Sequence, residues 1–109
     1  MLDAQQVTLE LITVLRSVVE EVRTRSPDLA EQIRRAATSV ALNLAEGTRR
    51  GGRDKKRVYR IAAAETQEVK TALGVAAAWG YVTPATIAPA LALAERVGAM
   101  TYRLRNPRR

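Results

Sequence analysis

The residues best suited to chemistry in this sequence are the basic side chains between positions 48 and 60. The segment contains five arginines, two lysines and one acid, so its net charge is +6. Its basic residues are Arg49, Arg50, Arg53, Lys55, Lys56, Arg57 and Arg60. Arginine pairs its N–H groups with phosphate oxygens, and Gly51-Gly52 leaves the backbone open to close approach. The pattern favours a phosphate-binding surface over an ordinary solvated charged surface.

A second basic segment closes the chain. Residues 96–109 contain no acid and have a net charge of +5, whereas the whole chain has +7 and the remainder therefore −4. The candidate binding residues in this segment are Arg103, Arg105, Arg108 and Arg109. Such uneven charge favours an anionic partner, and nucleic acid is the first candidate. Base-specific reading of a single strand needs aromatic side chains for stacking, and Tyr59 is the one aromatic residue in the first segment. We therefore predict sequence-tolerant binding to RNA or DNA.

The sequence gives little support for acid–base catalysis, metal binding or nucleotide binding. The sequence lacks His and Cys, the commonest general base and two common metal ligands, and it has no Gly-Lys-Ser/Thr phosphate loop. Glu65 and Glu68 could form a carboxylate pair, but only their spacing of three residues recommends it. We therefore predict that the protein is not an enzyme and binds no cofactor or metal. Glu65 falls in an apolar stripe, so its carboxylate must be paired, partly exposed or at a subunit interface.

The composition favours closely packed helices. Apolar residues make up 47% of the chain but aromatic residues only 4%, so the core must consist of Leu, Val, Ile and Ala. No apolar run has the length of a membrane span or a signal-peptide core. The predicted location is therefore the cytoplasm, without a membrane partner.

Apolar residues recur every three or four positions in four stretches, and no stretch alternates with period two. The predicted helices run from Asp3 to Thr24, from Pro27 to Gly47, from Asp54 to Trp79, and from Pro84 to Asn106. The predicted N-caps are Asp3, Ser26, Asp54 and Thr83, and Gly47 is expected in the left-handed conformation. Pro89 leaves open whether the fourth helix is kinked there or begins after it.

Short connections force neighbouring helices to run antiparallel, which gives an all-α, up-down-up-down four-helix bundle. We predict one such domain over residues 1–109, with a short basic tail at residues 105–109. This topology places the N-terminus, the second-to-third loop and the C-terminus at the same end, so much of the positive charge gathers there. Alanine clusters at residues 62–64 and 76–78 indicate either a second packing face on the third helix or simple helix propensity.

Three polar or small residues at the end of the second helix suggest a structural turn network. The carboxylate of Glu46 lies near a helix C-terminus, where it opposes the helix dipole and needs a partner. A loop amide or a nearby arginine could provide one. Asn43 and Gly47 are the other predicted members of this network.

The segment from Gln32 to Gly47 carries a family resemblance. An arginine-alanine start followed by the helix end Asn43-x-Ala45-Glu46-Gly47 resembles the small bacterial four-helix-bundle proteins first noticed as products of intervening sequences within 23S rRNA genes. A basic loop, an acid at Glu68, an ending like Trp79-Gly80-Tyr81 and the pair Val97-Gly98 extend it over residues 31–104. The departures from the family pattern are Ala41, Leu42, Lys55, Val58 and Glu65.

The resemblance implies a homopentameric ring of bundles. It also implies kinship with the accessory variability proteins of diversity-generating retroelements, which partner a reverse transcriptase and bind nucleic acid. We therefore predict a non-enzymatic, self-associating nucleic-acid-binding bundle. The alternative is a protein-protein adaptor whose basic end docks on an acidic partner.

Overall fold

The computed structural model describes residues 1–107 and contains four α-helices over that range, without a strand. The helices are α1 (Asp3–Arg23), α2 (Pro27–Gly47), α3 (Gly52–Ala78) and α4 (Pro84–Arg105). The all-α, four-helix prediction is confirmed, and the predicted helix ends lie within one residue of the observed ones, but α3 begins at Gly52, before its predicted cap Asp54. Among residues 1–107, no helix is long and apolar enough to cross a membrane.

Two clusters of buried apolar side chains fill the bundle. The first joins the C-terminal parts of α1 and α3 to the N-terminal parts of α2 and α4, and it includes Leu15, Ile33, Leu73 and Ile87. The second joins the opposite ends of the same helices, and it includes Val7, Leu44, Tyr59 and Val97. Because helix beginnings pack beside neighbouring helix ends, the chain runs up-down-up-down. The result is a rod with Cα extents of 44 × 21 × 20 Å.

Two of the four predicted N-caps are observed. The Ser26 hydroxyl accepts from the Leu29 N–H at 3.3 Å, and the Thr83 hydroxyl accepts from the Thr86 N–H at 3.1 Å. Each cap is followed by proline at the first helical position, whose fixed φ suits a helix start.

The other two predicted caps, Asp3 and Asp54, were wrong. α1 begins at Asp3 with Leu2 as its N-cap, and α3 begins at Gly52 with Gly51 as its N-cap. Both aspartates instead lie in the first helical turn, where a carboxylate favourably faces the positive end of the helix dipole. Aspartate is favourable both at the N-cap and in the first turn, so the sequence alone does not tell these two positions apart.

α4 is continuous from Pro84 through Pro89, so the helix begins at Pro84 and not after Pro89. Pro89 has no N–H to donate to the carbonyl of Ala85. Ala85 is exposed, so water can hydrogen-bond to that carbonyl in place of the missing donor. The helix therefore tolerates proline on its outer face.

Gly47 ends α2, but it is not in the left-handed conformation, so that prediction was wrong. An ideal Cβ on Gly47 would lie 2.2 Å from Cε1 of Tyr59, far inside van der Waals contact. The Tyr59 ring is only 3% exposed and belongs to α3. Glycine is needed at this position because the Tyr59 ring packs directly against its Cα. This contact joins the end of α2 to the beginning of α3.

Replacing Gly47 by alanine is expected to destabilise the protein. The new methyl group would force the buried Tyr59 ring to move, and overpacking of this kind lowers the free energy of unfolding by roughly 1–3 kcal/mol. Gly74→Ala is the matched control, because nothing lies within 4 Å of a Cβ there. That change should stabilise α3 by about 0.5–1 kcal/mol. Urea denaturation measures both, and a Gly47→Ala variant as stable as the parent would contradict the packing argument.

Candidate nucleic-acid interface

The antiparallel order brings both basic segments to one end of the bundle. The turn between α2 and α3 lies at the same end as the beginning of α1 and the end of α4, because all four share the second core cluster. We call the end formed by residues 48–60 and 101–107 the basic pole. Arg103 is exposed there and lines a recess with Leu2 and Asp3. Arg105 is the last residue of α4, whereas Arg108 and Arg109 lie outside the described residues.

Four basic residues share one exposed face of α3. Arg53, Lys56, Arg57 and Arg60 are exposed, and Arg53 and Arg60 each lie three and four residues from the adjacent Lys56 and Arg57. We call this set the α3 stripe, and it spans about 10 Å at the α-helical rise of 1.5 Å per residue. Within residues 1–107, none of its members takes part in an ion pair. Lys55 is half-buried and lies off this face.

Arg49 and Arg50 differ from the α3 stripe because carboxylates already engage them. Nη2 of Arg49 lies 3.5 Å from Oε2 of Glu46, and Nε of Arg50 lies 3.0 Å from Oε1 of the same side chain. Nη1 of Arg50 also lies 3.8 Å from Oδ2 of Asp54. Such exposed pairs add little stability. They do lower the positive potential around the turn, because the carboxylates of Glu46 and Asp54 offset the charges of the two arginines.

The same pairs supply Glu46 with the partner that its place at a helix end requires. Asn43 does not join them, contrary to the prediction. Its Nδ2 donates to the carbonyl and the hydroxyl of Ser39, at 2.9 and 3.1 Å. Side chains on a helix point back toward its N-terminus, so Asn43 bonds one turn earlier and does not reach the loop.

The beginning of α3 adds a further positive feature to the basic pole. The N-cap Gly51 has no side chain that could accept from the first N–H groups of the helix. The positive end of the helix dipole therefore has no capping side chain, although Asp54 in the first turn partly balances it. No atom outside the local backbone lies within 4 Å of an ideal Cβ at Gly51 or Gly52, so an anion can approach the backbone there.

The candidate carboxylate pair lies elsewhere and does not build a metal centre. Glu65 is half-buried; burial and the neighbouring Glu68 raise its pKa, while Arg35 lowers it. In the part of the chain that the structure describes, no group of three His, Cys, Asp or Glu side chains could hold a metal ion. A recess of about 630 Å³ between α1 and α2 includes neither glutamate.

The family model described as 23S rRNA-intervening sequence protein matches residues 2–103. The chain belongs to this family. Its fold is similar to a crystal structure of a protein of unknown function from the S23 ribosomal protein family of Bacteroides thetaiotaomicron, with a TM-score of 0.85 and 17% identity. The match covers 94% of this chain and 98% of that chain, and at this identity it establishes the fold alone. No curated protein matches the chain.

Membership confirms the resemblance carried by Asn43-x-Ala45-Glu46-Gly47. In this chain, two residues of that motif contribute directly to the structure of the basic pole. Glu46 pairs with both turn arginines, and Gly47 makes room for Tyr59. The motif therefore helps to determine the structure of the turn between α2 and α3, after which the α3 stripe begins.

Sequence reasoning assigned no binding residue to the opposite end of the bundle, where the fold assembles an aromatic group. The rings of Trp79 and Tyr81 stack with centroids 6.5 Å apart, and the guanidinium of Arg25 lies 5.5 Å from the centroid of Tyr81. The sequence feature that could have indicated this group is the one tryptophan of the chain, which stands next to a helix-ending glycine.

Replacing Glu65 by glutamine is expected to raise the melting temperature at pH 7. The pKa of Glu65 is raised above its ordinary value of 4.5, so the folded protein binds this proton more tightly than the unfolded chain does. The stability contributed by this group is therefore lost as the pH rises from about 4.5 through the folded-state pKa. An uncharged amide avoids that loss.

Thermal melts between pH 4 and pH 8 measure this effect. The gain in melting temperature from Glu65→Gln should shrink toward pH 4, where most of the parent carboxyl is protonated in both the folded and the unfolded state. Glu10→Gln, an exposed position on α1, is the matched control. A gain of the same size at both ends of the pH range would contradict the titration argument.

Proposed function

We propose that this intervening-sequence protein binds RNA or DNA through phosphate contacts at the basic pole, without enzymatic activity and in the cytoplasm. The observation that carries the proposal is the α3 stripe, whose four cations are exposed and engage no carboxylate within residues 1–107. Arg103 and Arg105 add positive charge from α4. The N-terminus of α3, which no side chain caps, adds a weaker attraction for the same anion because Asp54 partly balances its dipole.

Sequence-tolerant binding follows from the residue types. Tyr59 is buried beneath the turn and cannot stack on a base. Tyr102, which the fold brings to the same end, is 62% exposed and offers a single ring. Most of the affinity should therefore come from charge, and it should fall steeply as salt is added.

The first test is binding to duplex DNA, single-stranded DNA and structured RNA across a salt series. Changing Arg53, Lys56, Arg57 and Arg60 together to glutamine should weaken binding to every ligand. On duplex DNA, each lost phosphate contact reduces the slope of log affinity against log salt by about 0.9, so four contacts reduce it by about 3.6. A variant that binds as well as the parent would refute the assignment.

The control removes the same charge elsewhere. Changing Arg16, Arg23, Arg35 and Arg96 to glutamine lowers the net charge equally but leaves the basic pole intact, so the slope should change much less. Glu46→Gln makes the opposite change, because it releases Arg49 and Arg50 from their shared carboxylate. That variant should bind more tightly and show a steeper slope.

We also propose that five copies assemble into a ring, as the family resemblance implies. Such an assembly would cover apolar side chains that one copy leaves exposed, such as Leu42 at 65% and Leu9 at 47%. A ring would multiply the basic pole fivefold and strengthen weak contacts through avidity. Sedimentation equilibrium at micromolar concentration should give the mass of a pentamer, and a monomer would contradict this assembly.

A protein-docking role is the second candidate, because Arg50 already contacts two carboxylates and an acidic protein surface offers the same groups. The partner could be a reverse transcriptase or another nucleic-acid-processing enzyme. Absence of nucleic-acid binding at low salt, with stoichiometric capture of one protein after nuclease treatment, would favour this role.

A further inference from the structure

The end of α3 opposite the basic pole holds two aromatic residues in a fixed backbone. The N–H of Tyr81 donates to the carbonyl of Ala76, and that of Gly80 donates to Ala77, both at 2.9 Å. With Gly80 at φ 79°, this is a Schellman helix ending, which a residue with a Cβ rarely adopts. The motif sets the positions of Trp79 and Tyr81 relative to each other.

The two rings form an ordered and open aromatic surface. Their planes differ by 16°, and Tyr81 packs partly against the first core cluster. Trp79 is 68% exposed, and Val75, one turn earlier, is 39% exposed. A tryptophan held in place with most of its surface in water gives up much of the hydrophobic stabilisation that its ring could gain from a partner.

An exposed cation accompanies the rings. The Arg25 guanidinium lies 5.5 Å from the Tyr81 ring centroid, and within residues 1–107 it takes part in no ion pair. The end therefore offers a flat π surface beside an uncompensated positive charge. A nucleotide carries the complementary groups, a planar base attached to an anionic phosphate.

The shape of the surface favours stacking over enclosure. Trp79 lines neither the recess between α1 and α2 nor the one beside Arg103. A flat, open ring suits a base that is free on one face. Duplexes keep their bases stacked on one another, so the ligand should be single-stranded.

We propose that Trp79, Tyr81 and Arg25 form a second nucleic-acid site that stacks an unpaired base of a single strand and contacts its phosphate. The site is separate from the α3 stripe, which lies at the other end of the rod. It does not rest on the proposed phosphate surface, and either site can fail without the other.

The test uses Trp79 as its own reporter, because it is the one tryptophan of the chain. The full-length protein with Arg53, Lys56, Arg57 and Arg60 changed to glutamine is titrated with a 12-nucleotide oligo(dT) and with an abasic strand of equal length. Oligo(dT) should quench Trp79 fluorescence, whereas the abasic strand should leave it unchanged. Equal quenching by both strands, or none by either, would overturn the proposal.

Variants separate stacking from other causes. By anisotropy of a labelled oligo(dT), Trp79→Leu should weaken binding at least about fivefold, since stacking contributes about 1–3 kcal/mol per base. Trp79→Phe should retain most of the affinity, and Arg25→Gln should lose part of it. Circular dichroism melts check that each variant folds. Trp79 emission that shifts to shorter wavelength with protein concentration alone would show that a second copy covers the rings, and this would also overturn the proposal.

Discussion

The structure of the basic pole depends on one contact, the close packing of Tyr59 on Gly47. It joins the last residue of α2 to α3 across a connection of only four residues, 48–51. Because Tyr59 points into the core, Arg57 and Arg60 on the same helix point outward. The buried ring therefore helps to fix the turn between α2 and α3, and the buried stripe of α3 to which it belongs sets which side chains meet the solvent.

The charges at this corner are arranged in two groups with different roles. Glu46 lies at a helix end where its charge is unfavourable, and the turn arginines relieve that cost. Those arginines are thereby partly neutralised, so the turn itself presents little surplus charge. The surplus begins at Arg53 and follows the outer face of α3, which directs any anion toward the helix.

Much of the fold could be predicted from the sequence, because helix periodicity, Ser-Pro and Thr-Pro starts and short connections are local signals. The position of the basic segments at one end followed from the same topology. The reason for Gly47 could not be predicted, since it depends on a ring twelve positions later in the chain. A loop amide or a nearby arginine was the predicted partner of Glu46, but the sharing of its carboxylate by both turn arginines was not predicted. The bond from Asn43 to Ser39 and the Trp79–Tyr81 stack likewise depend on side-chain geometry, which a sequence pattern does not give. Periodicity locates a side chain on a helix, but it does not identify its partner.

The elongated shape of the bundle bears on how a double helix would lie against it. The long axis of 44 Å corresponds to about 13 base pairs at the B-form rise of about 3.4 Å, slightly more than one helical turn. The narrow cross-section of about 20 Å corresponds to only about six base pairs. The footprint of one copy on DNA therefore reports its orientation: a long footprint means that the rod lies along the duplex, and a short one means that it stands on its end.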